Sequence, residues 1–281
     1  MMSELYKENS SMKKVLLSHF VAVALVIPAS AATYNPANRV TEVGTKMYKN
    51  SGIPAANVKF MVVSGSVDNS SYATNRVVNI STNELSFAGN DNEVAAVIGN
   101  ELGHIIAGHA SKGKVVQLLQ SAAVADTALE TNASASTIST NYTNLKDEKE
   151  ADLVAVDLMV NAGYNPLALI VVLTKQTGTY WETLLGQPAN AERALNVYNY
   201  VTYAYPAKIK AGYGCNEYRN FVAYADPIIA LRKNSKRLEK RNTKVQAKNK
   251  KNVTNKIAKF KVRGGLSGWD AAYGLLNGGQ Q

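Results

Sequence analysis

The hydrophobic patterning predicts an α+β fold, mainly helical with a small β-sheet. Three observations carry that expectation. Residues 90–109 place apolar side chains at almost every azimuth of a helix, so this helix is expected to be buried nearly all round. Two short runs rich in β-branched residues, 58–63 and 76–81, stand just before it and read as strands. A second helical run, 147–162, ends at Gly163, a common left-handed stop. With 281 residues, 46% of them hydrophobic, the chain can bury a sizeable core in one or two domains.

In chain order, Met12-Lys13-Lys14 supplies a positive start, and residues 15–27 an apolar run that is short for a membrane span. Pro28-Ala29-Ser30-Ala31 closes with a small-residue cleavage pattern. Residues 1–31 therefore read as a signal peptide, with a plausible start at Met12, and the chain as exported, periplasmic or secreted. Lone Cys215 excludes an internal disulfide framework. A helix over about 38–49 precedes the two strands, whose edge is suited to holding an extended peptide. Asn90 followed by Glu93 reads as a capping box opening the central helix. An apolar segment, 115–128, and a polar loop, 131–143, lead to helix 147–162. A helix over about 189–203 and a tyrosine-rich stretch, 205–224, complete a domain spanning 32–225. Residues 232–263 then carry fourteen Lys and Arg against one acid, Glu239. The whole chain is +10, so the basic character is local to a segment of +13. Residues 226–281 are expected as a basic linker or tail with a short Gly-rich aromatic end. An anionic surface, membrane or cell-wall polymer, suits 232–263. With Phe260 its lone aromatic, nucleic-acid stacking has little support.

Inside the apolar central helix lie Asn100, Glu101 and His104. Positions 100 and 104 share a face. Buried ionisable groups are costly unless paired or bound to metal, so the cluster reads as a site. On the helix 147–162, the apolar face is Ala151, Ala155, Leu158 and Ala162. Glu148 and Asp152 project at its edge, about 40° apart, while Glu150 points roughly 160–200° away, towards solvent. Phase selects Glu148 as the carboxylate that reaches inward.

Asn100-Glu101-x-x-His104 followed by Glu148-x-x-Ala151-Asp152 resembles the HExxH…ExxAD motifs of metallopeptidase family 48. That family includes CAAX prenyl proteases, HtpX-type membrane proteases and soluble exported quality-control proteases. His109, the junction Ala162-Gly163-Tyr164-Asn165-Pro166, and Gln187-Pro188 with Arg193 extend the resemblance to the soluble exported branch. It implies a zincin-like (gluzincin) domain and a zinc metalloendopeptidase acting on protein or peptide substrates in envelope quality control. By the same resemblance Glu101 is the general base and His104 and Glu148 are zinc ligands. By the same resemblance Asp152, His109, Gln187 and Arg193 stand behind the ligands or line the cleft. Arg193 is equally suited to a structural ion pair with the acidic helix.

Two departures bear on this. Asn100 occupies the first ligand position, where the family has histidine, and an amide oxygen holds zinc less well than imidazole. Gln187 stands where the family commonly has another histidine. His109, five residues beyond His104, falls about 140° round a continuous helix and is not expected to serve the same ion. One zinc, weakly held by His104, Glu148 and Asn100, is one reading; the other is an inactive pseudopeptidase that acts as a binding or chaperone scaffold.

Overall fold

The computed structural model describes residues 34–54, 58–64, 77–109, 145–176 and 190–265. Residues 1–31, expected as a signal peptide, the runs 115–128 and 131–143, Gln187, and Trp269 and Tyr273 of the aromatic end lie outside the described residues. From Asn35 onward the described residues belong to one compact unit.

A 3-10 turn, Pro36–Arg39, opens into α1 (Val40–Asn50). Strands β1 (Lys59–Val63) and β2 (Val77–Ser81) pair in parallel, in register from Lys59 with Val77 to Val63 with Ser81. α1 lies so close to β1 that a Cβ at Gly44 would fall 2.5 Å from the Phe60 ring. Ser81 Oγ accepts from the Asn83 amide at 3.1 Å and starts the single turn α2 (Thr82–Leu85). A mainly helical α+β fold with a small sheet is what the structure shows.

The central helix α3 runs Asp91–Ala107. Asn90 caps it, its Oδ1 accepting from the amides of Asn92 and Glu93, while Glu93 reaches back to the Gly89 amide at 2.7 Å. Lys175 and Tyr213 also bind Glu93, so the start of α3 is tied to two distant parts of the chain. Gly108, with φ of 78°, ends the helix. α4 (Leu145–Asn161) packs along α3 and is buried on nearly every side, including Leu153, Val154, Val156 and Met159. α5 (Leu167–Gln176) is apolar throughout its buried stretch Leu167 to Leu173. α6 (Asn190–Ala204), α7 (Pro206–Ala211) and α8 (Asn216–Lys233) follow. Half-buried Cys215 sits at the start of α8, where its Sγ accepts from the Tyr218 amide.

The basic segment is not a linker. Residue 226 lies inside α8, and Lys236–Val262 form a 27-residue helix, α9. Gln246, Val253, Ile257 and Phe260 form its buried stripe, and the three apolar ones join the core. At about 1.5–3 kcal/mol for each fully buried apolar side chain, this face holds α9 as part of the domain. Most of its lysines line the opposite face, while Lys250 and Lys256 turn inward to Asp157 and Glu150. Among the described residues no helix is long and apolar enough to cross a membrane.

Candidate metal centre

The centre is built where α3 and α4 come closest. Gly99 and Gly103 of α3 face Ala155 and Ala151 of α4. A Cβ at Gly103 would lie 2.3 Å from the Ala151 carbonyl oxygen, so only glycine permits this approach. The residues beside these contacts, Asn100 and His104 on one helix and Glu148 and Asp152 on the other, are thereby brought together.

His104, 5% exposed, points Nε2 at Glu148 Oε1, 3.2 Å away. Two donors in a tetrahedral zinc shell are about 3.4 Å apart, so this separation suits two ligands of one ion. Arg193, from α6, places Nη2 3.0 Å from Glu148 Oε2 and grips Asp152 through Nε and Nη2 at 2.9 and 2.8 Å. Burial opposes ionisation of Glu148, yet the Arg193 charge, with His104 and Asn100, holds its pKa down at about 2. Burial likewise opposes the charged form of His104; hydrogen bonding and charge from Glu148, helped by Glu101, outweigh it and raise the pKa. Asn100 Nδ2 donates to Asp152 Oδ1 at 2.9 Å, and the same side chain hydrogen-bonds Glu148.

Glu101 lies beside this group. Burial raises its pKa; the His104 charge pulls it down and Glu148 pushes it up again. Glu84, from α2, is a further carboxyl facing the centre. Its Oε2 is buried without a hydrogen-bond partner, and burial, then the charges of Glu101 and Glu148, push its pKa up to about 8.

Two expectations need correction. The helix ends at Ala107, and the left-handed Gly108 turns the chain back, so His109 is not 140° away. Its Nδ1 meets His104 Nδ1 at 3.0 Å. Glu150 does not point into open solvent either. Its Oε2 is 3.1 Å from His109 Nε2 and 2.8 Å from Lys256 Nζ of α9. The His109 hydrogen bond is the main reason, with Lys256, that the Glu150 pKa lies at about 2.

Residues 35–201 match the family model for peptidase family M48. The chain belongs to peptidase family M48. It is also 32% identical over 122 residues to the metalloprotease LoiP of Escherichia coli (strain K12). That match covers 38% of this chain and 48% of LoiP, about half the relative's length. No solved structure matches.

As an M48 site, the centre presents two of three expected metal donors, His104 Nε2 and Glu148 Oε1. The third position does not fit. Only the amide nitrogen of Asn100 can serve two carboxylates, and a flip would set its oxygen against them. Asp152 and Arg193 brace the donors rather than supply any. His109 touches His104 directly, and Gln187 lies outside the described residues. Glu84 and Lys256 were not legible as site residues. Glu84 belongs to a four-residue turn with no helical phase to read, and Lys256 is one lysine among many.

Proposed function

We propose that this chain is an exported zinc metalloendopeptidase of the HExxH…ExxAD type, active on protein or peptide substrates of the envelope and attenuated by Asn100. The observation that carries it is the buried pair His104 Nε2 and Glu148 Oε1 at 3.2 Å with Glu101 beside it. Zinc held by His104 and Glu148 would supply polarisation of a carbonyl and acidification of a water. Glu101, its pKa raised by burial, stands beside the pair as the carboxyl that would hold and move a proton there. Arg193 keeps Glu148 ionised and oriented, and Asp152 holds both Arg193 and Asn100 in place. The two-strand sheet offers an edge for an extended substrate.

The test is Asn100→His. It restores an imidazole donor and is expected to raise zinc affinity at least tenfold and to raise cleavage of an unfolded protein substrate with it. Adding Glu148→Gln should remove both gains. An Asn100→His chain with unchanged affinity and activity, or one indifferent to Glu148→Gln, sinks this reading. A second reading, an inactive scaffold that binds unfolded segments, is favoured by the commitment of the Asn100 amide to Asp152 and Glu148. It requires substrate binding without cleavage in both the native and Asn100→His chains.

The exposed face of α9 carries Lys236, Arg237, Lys240, Arg241, Lys244 and Lys248. We assign it to an anionic surface. Binding to anionic phospholipid vesicles should be strong at 0.1 M salt and lost near 1 M, as screening shortens from about 10 Å to about 3 Å. Vesicle binding indifferent to salt removes the assignment.

A further inference from the structure

We propose that the corner where α8 meets α9 inserts into a lipid bilayer of anionic phospholipids, with Leu231 and Leu238 as the side chains that enter it. The inference rests on the assignment of α9 to an anionic surface and narrows that surface to one kind. Six of the nine large hydrophobic side chains that stand exposed among the described residues lie on these two helices. They are Tyr224, Ile228 and Leu231 of α8, and Leu238, Val245 and Val262 of α9. Single exposed apolar residues are ordinary on a protein surface, but two thirds of them gathered on two consecutive helices are not scattered.

Their order is helical. Tyr224, Ile228 and Leu231 stand four and three residues apart and form one stripe of α8. The buried stripe of that helix is a separate one, Tyr218, Phe221, Ala225 and Ile229, while Leu231 is 72% exposed. On α9, Leu238 and Val245 are seven apart and share one side, between the buried stripe and the lysine-covered face. The stripe on α8 ends at Leu231 and the pair on α9 begins at Leu238, on either side of the Asn234-Ser235 turn. Lys233, Lys236, Arg237 and Lys240 stand exposed around the same turn. The turn is fixed: Ser235 caps α9, and Arg232 binds both Glu239, at 2.9 Å, and Asn199 of α6. Glu239, the one acid in 232–263, is thereby paired.

Charge and apolarity together select the occupant. A second copy of the chain would bring the same lysines face to face, and like charges oppose that. A soluble anionic polymer matches the lysines yet offers nothing apolar to Leu231. A bilayer offers both at once: lipid phosphates for the ammonium groups, and acyl chains just beneath them for the leucines. Lys and Arg stems lie along apolar surface while their heads stay with the phosphates, so the basic residues beside Leu231 and Leu238 do not hinder insertion. The platform is also rigid. Lys250 and Lys256 tie the inner side of α9 to Asp157 and Glu150, so its outer charges are held in place rather than spread along a free tail.

The test uses the chain from residue 32 onward, which contains the whole compact unit and lacks the apolar run 15–27 that would itself bind lipid. Binding is measured to vesicles of equal phosphatidylglycerol and phosphatidylcholine, and to dextran sulfate, a polyanion without acyl chains, with a melting curve for each variant. Leu231→Gln combined with Leu238→Gln should weaken vesicle binding about tenfold or more and polymer binding less than about twofold. Arg237→Gln combined with Lys240→Gln and Lys244→Gln should weaken both. Leu231→Trp should bind vesicles as tightly as the native chain, melt at the same temperature, and add an emission that lipids brominated in the acyl chain quench. Vesicle binding that the leucine pair leaves unchanged, or an added emission that brominated lipid does not quench, overturns the insertion. The anionic-surface assignment then still stands if the basic variant loses binding to both partners. It falls together with the insertion if the native chain binds neither.

Discussion

Helix α4 carries two buried polar clusters, one at each end, and they are built to opposite effect. Near its C-terminal end, Asp157 is 5% exposed. Its Oδ1 accepts from the hydroxyls of Tyr200 and Tyr205, each at 2.8 Å, and its Oδ2 from Lys250 Nζ at 2.7 Å. Lys250 also donates to the Tyr205 hydroxyl. One negative charge meets one positive charge, and every acceptor has a donor. Burial and the Asp157 charge raise both tyrosine pKa values, so the phenols stay neutral donors. Near the N-terminal end, Glu148 and Asp152 face Arg193, with Glu101 and Glu84 close by and His104 between them. There the acids outnumber the fixed cations, and one carboxylate oxygen has no partner. A closed, neutral network fastens α9 to α4 and α6. The unbalanced one leaves a place for an ion. Buried polar groups thus mark function when their donors and acceptors fail to cancel, not merely because they are buried.

The largest expected effect separates the two ends. Asp157→Ala strands two hydroxyls and an ammonium in a buried setting and should cost about 3–5 kcal/mol. For a chain of this size that is a fall in Tm of about 10 °C. Zinc affinity of the fraction that stays folded should change less than twofold. A chain that melts normally but loses its metal would show that the two clusters act as one.

An intermediate effect is expected from Gly103→Ala, which drives a methyl group into the Ala151 carbonyl. Overpacking of this kind costs about 1–3 kcal/mol, against which the helix preference of alanine returns up to about 1 kcal/mol. Because the contact lies between the donors on α3 and α4, metal affinity should fall more than stability does, the reverse of Asp157→Ala. Thermal melting and zinc titration on the same samples check the ordering.

The smallest effect is a pH slope. The pKa of Glu84 is about 8 when folded and near 4.5 when unfolded, so above pH 4.5 the unfolded chain has released a proton that the folded chain keeps. Stability should therefore decline as pH rises from about 4.5 to 8, and Glu84→Gln should flatten that decline. Urea melts of the metal-free chain at pH 5 and pH 8 measure it. Identical slopes in the two chains would place Glu84 outside the centre.

What the sequence made legible was whatever repeats along a helix or strand. The cap at Asn90, the all-round burial of α3, the two strands and the inward phase of Glu148 all follow from local pattern. Helical phase gives a direction but not what stands in that direction. Glu150 does leave the apolar face of α4, yet it meets His109 and Lys256 there. His109 was misplaced because a glycine near a helix end is ambiguous until its φ is known, and Gly108 is left-handed. For α9 the signal was present: Gln246, Val253, Ile257 and Phe260 repeat at helical spacing beneath the lysines. Net charge obscured the stripe.

The contact of Gly99 and Gly103 with Ala155 and Ala151 has a consequence for inheritance as much as for shape. The two helices meet through backbone and methyl groups beside position 100, a contact that the side chain there does not make. A donor can be exchanged there while the socket keeps its dimensions. Asn100 is then a changeable fitting on the same mount, and Asn100→His is the one exchange that the proposed ligand set calls for.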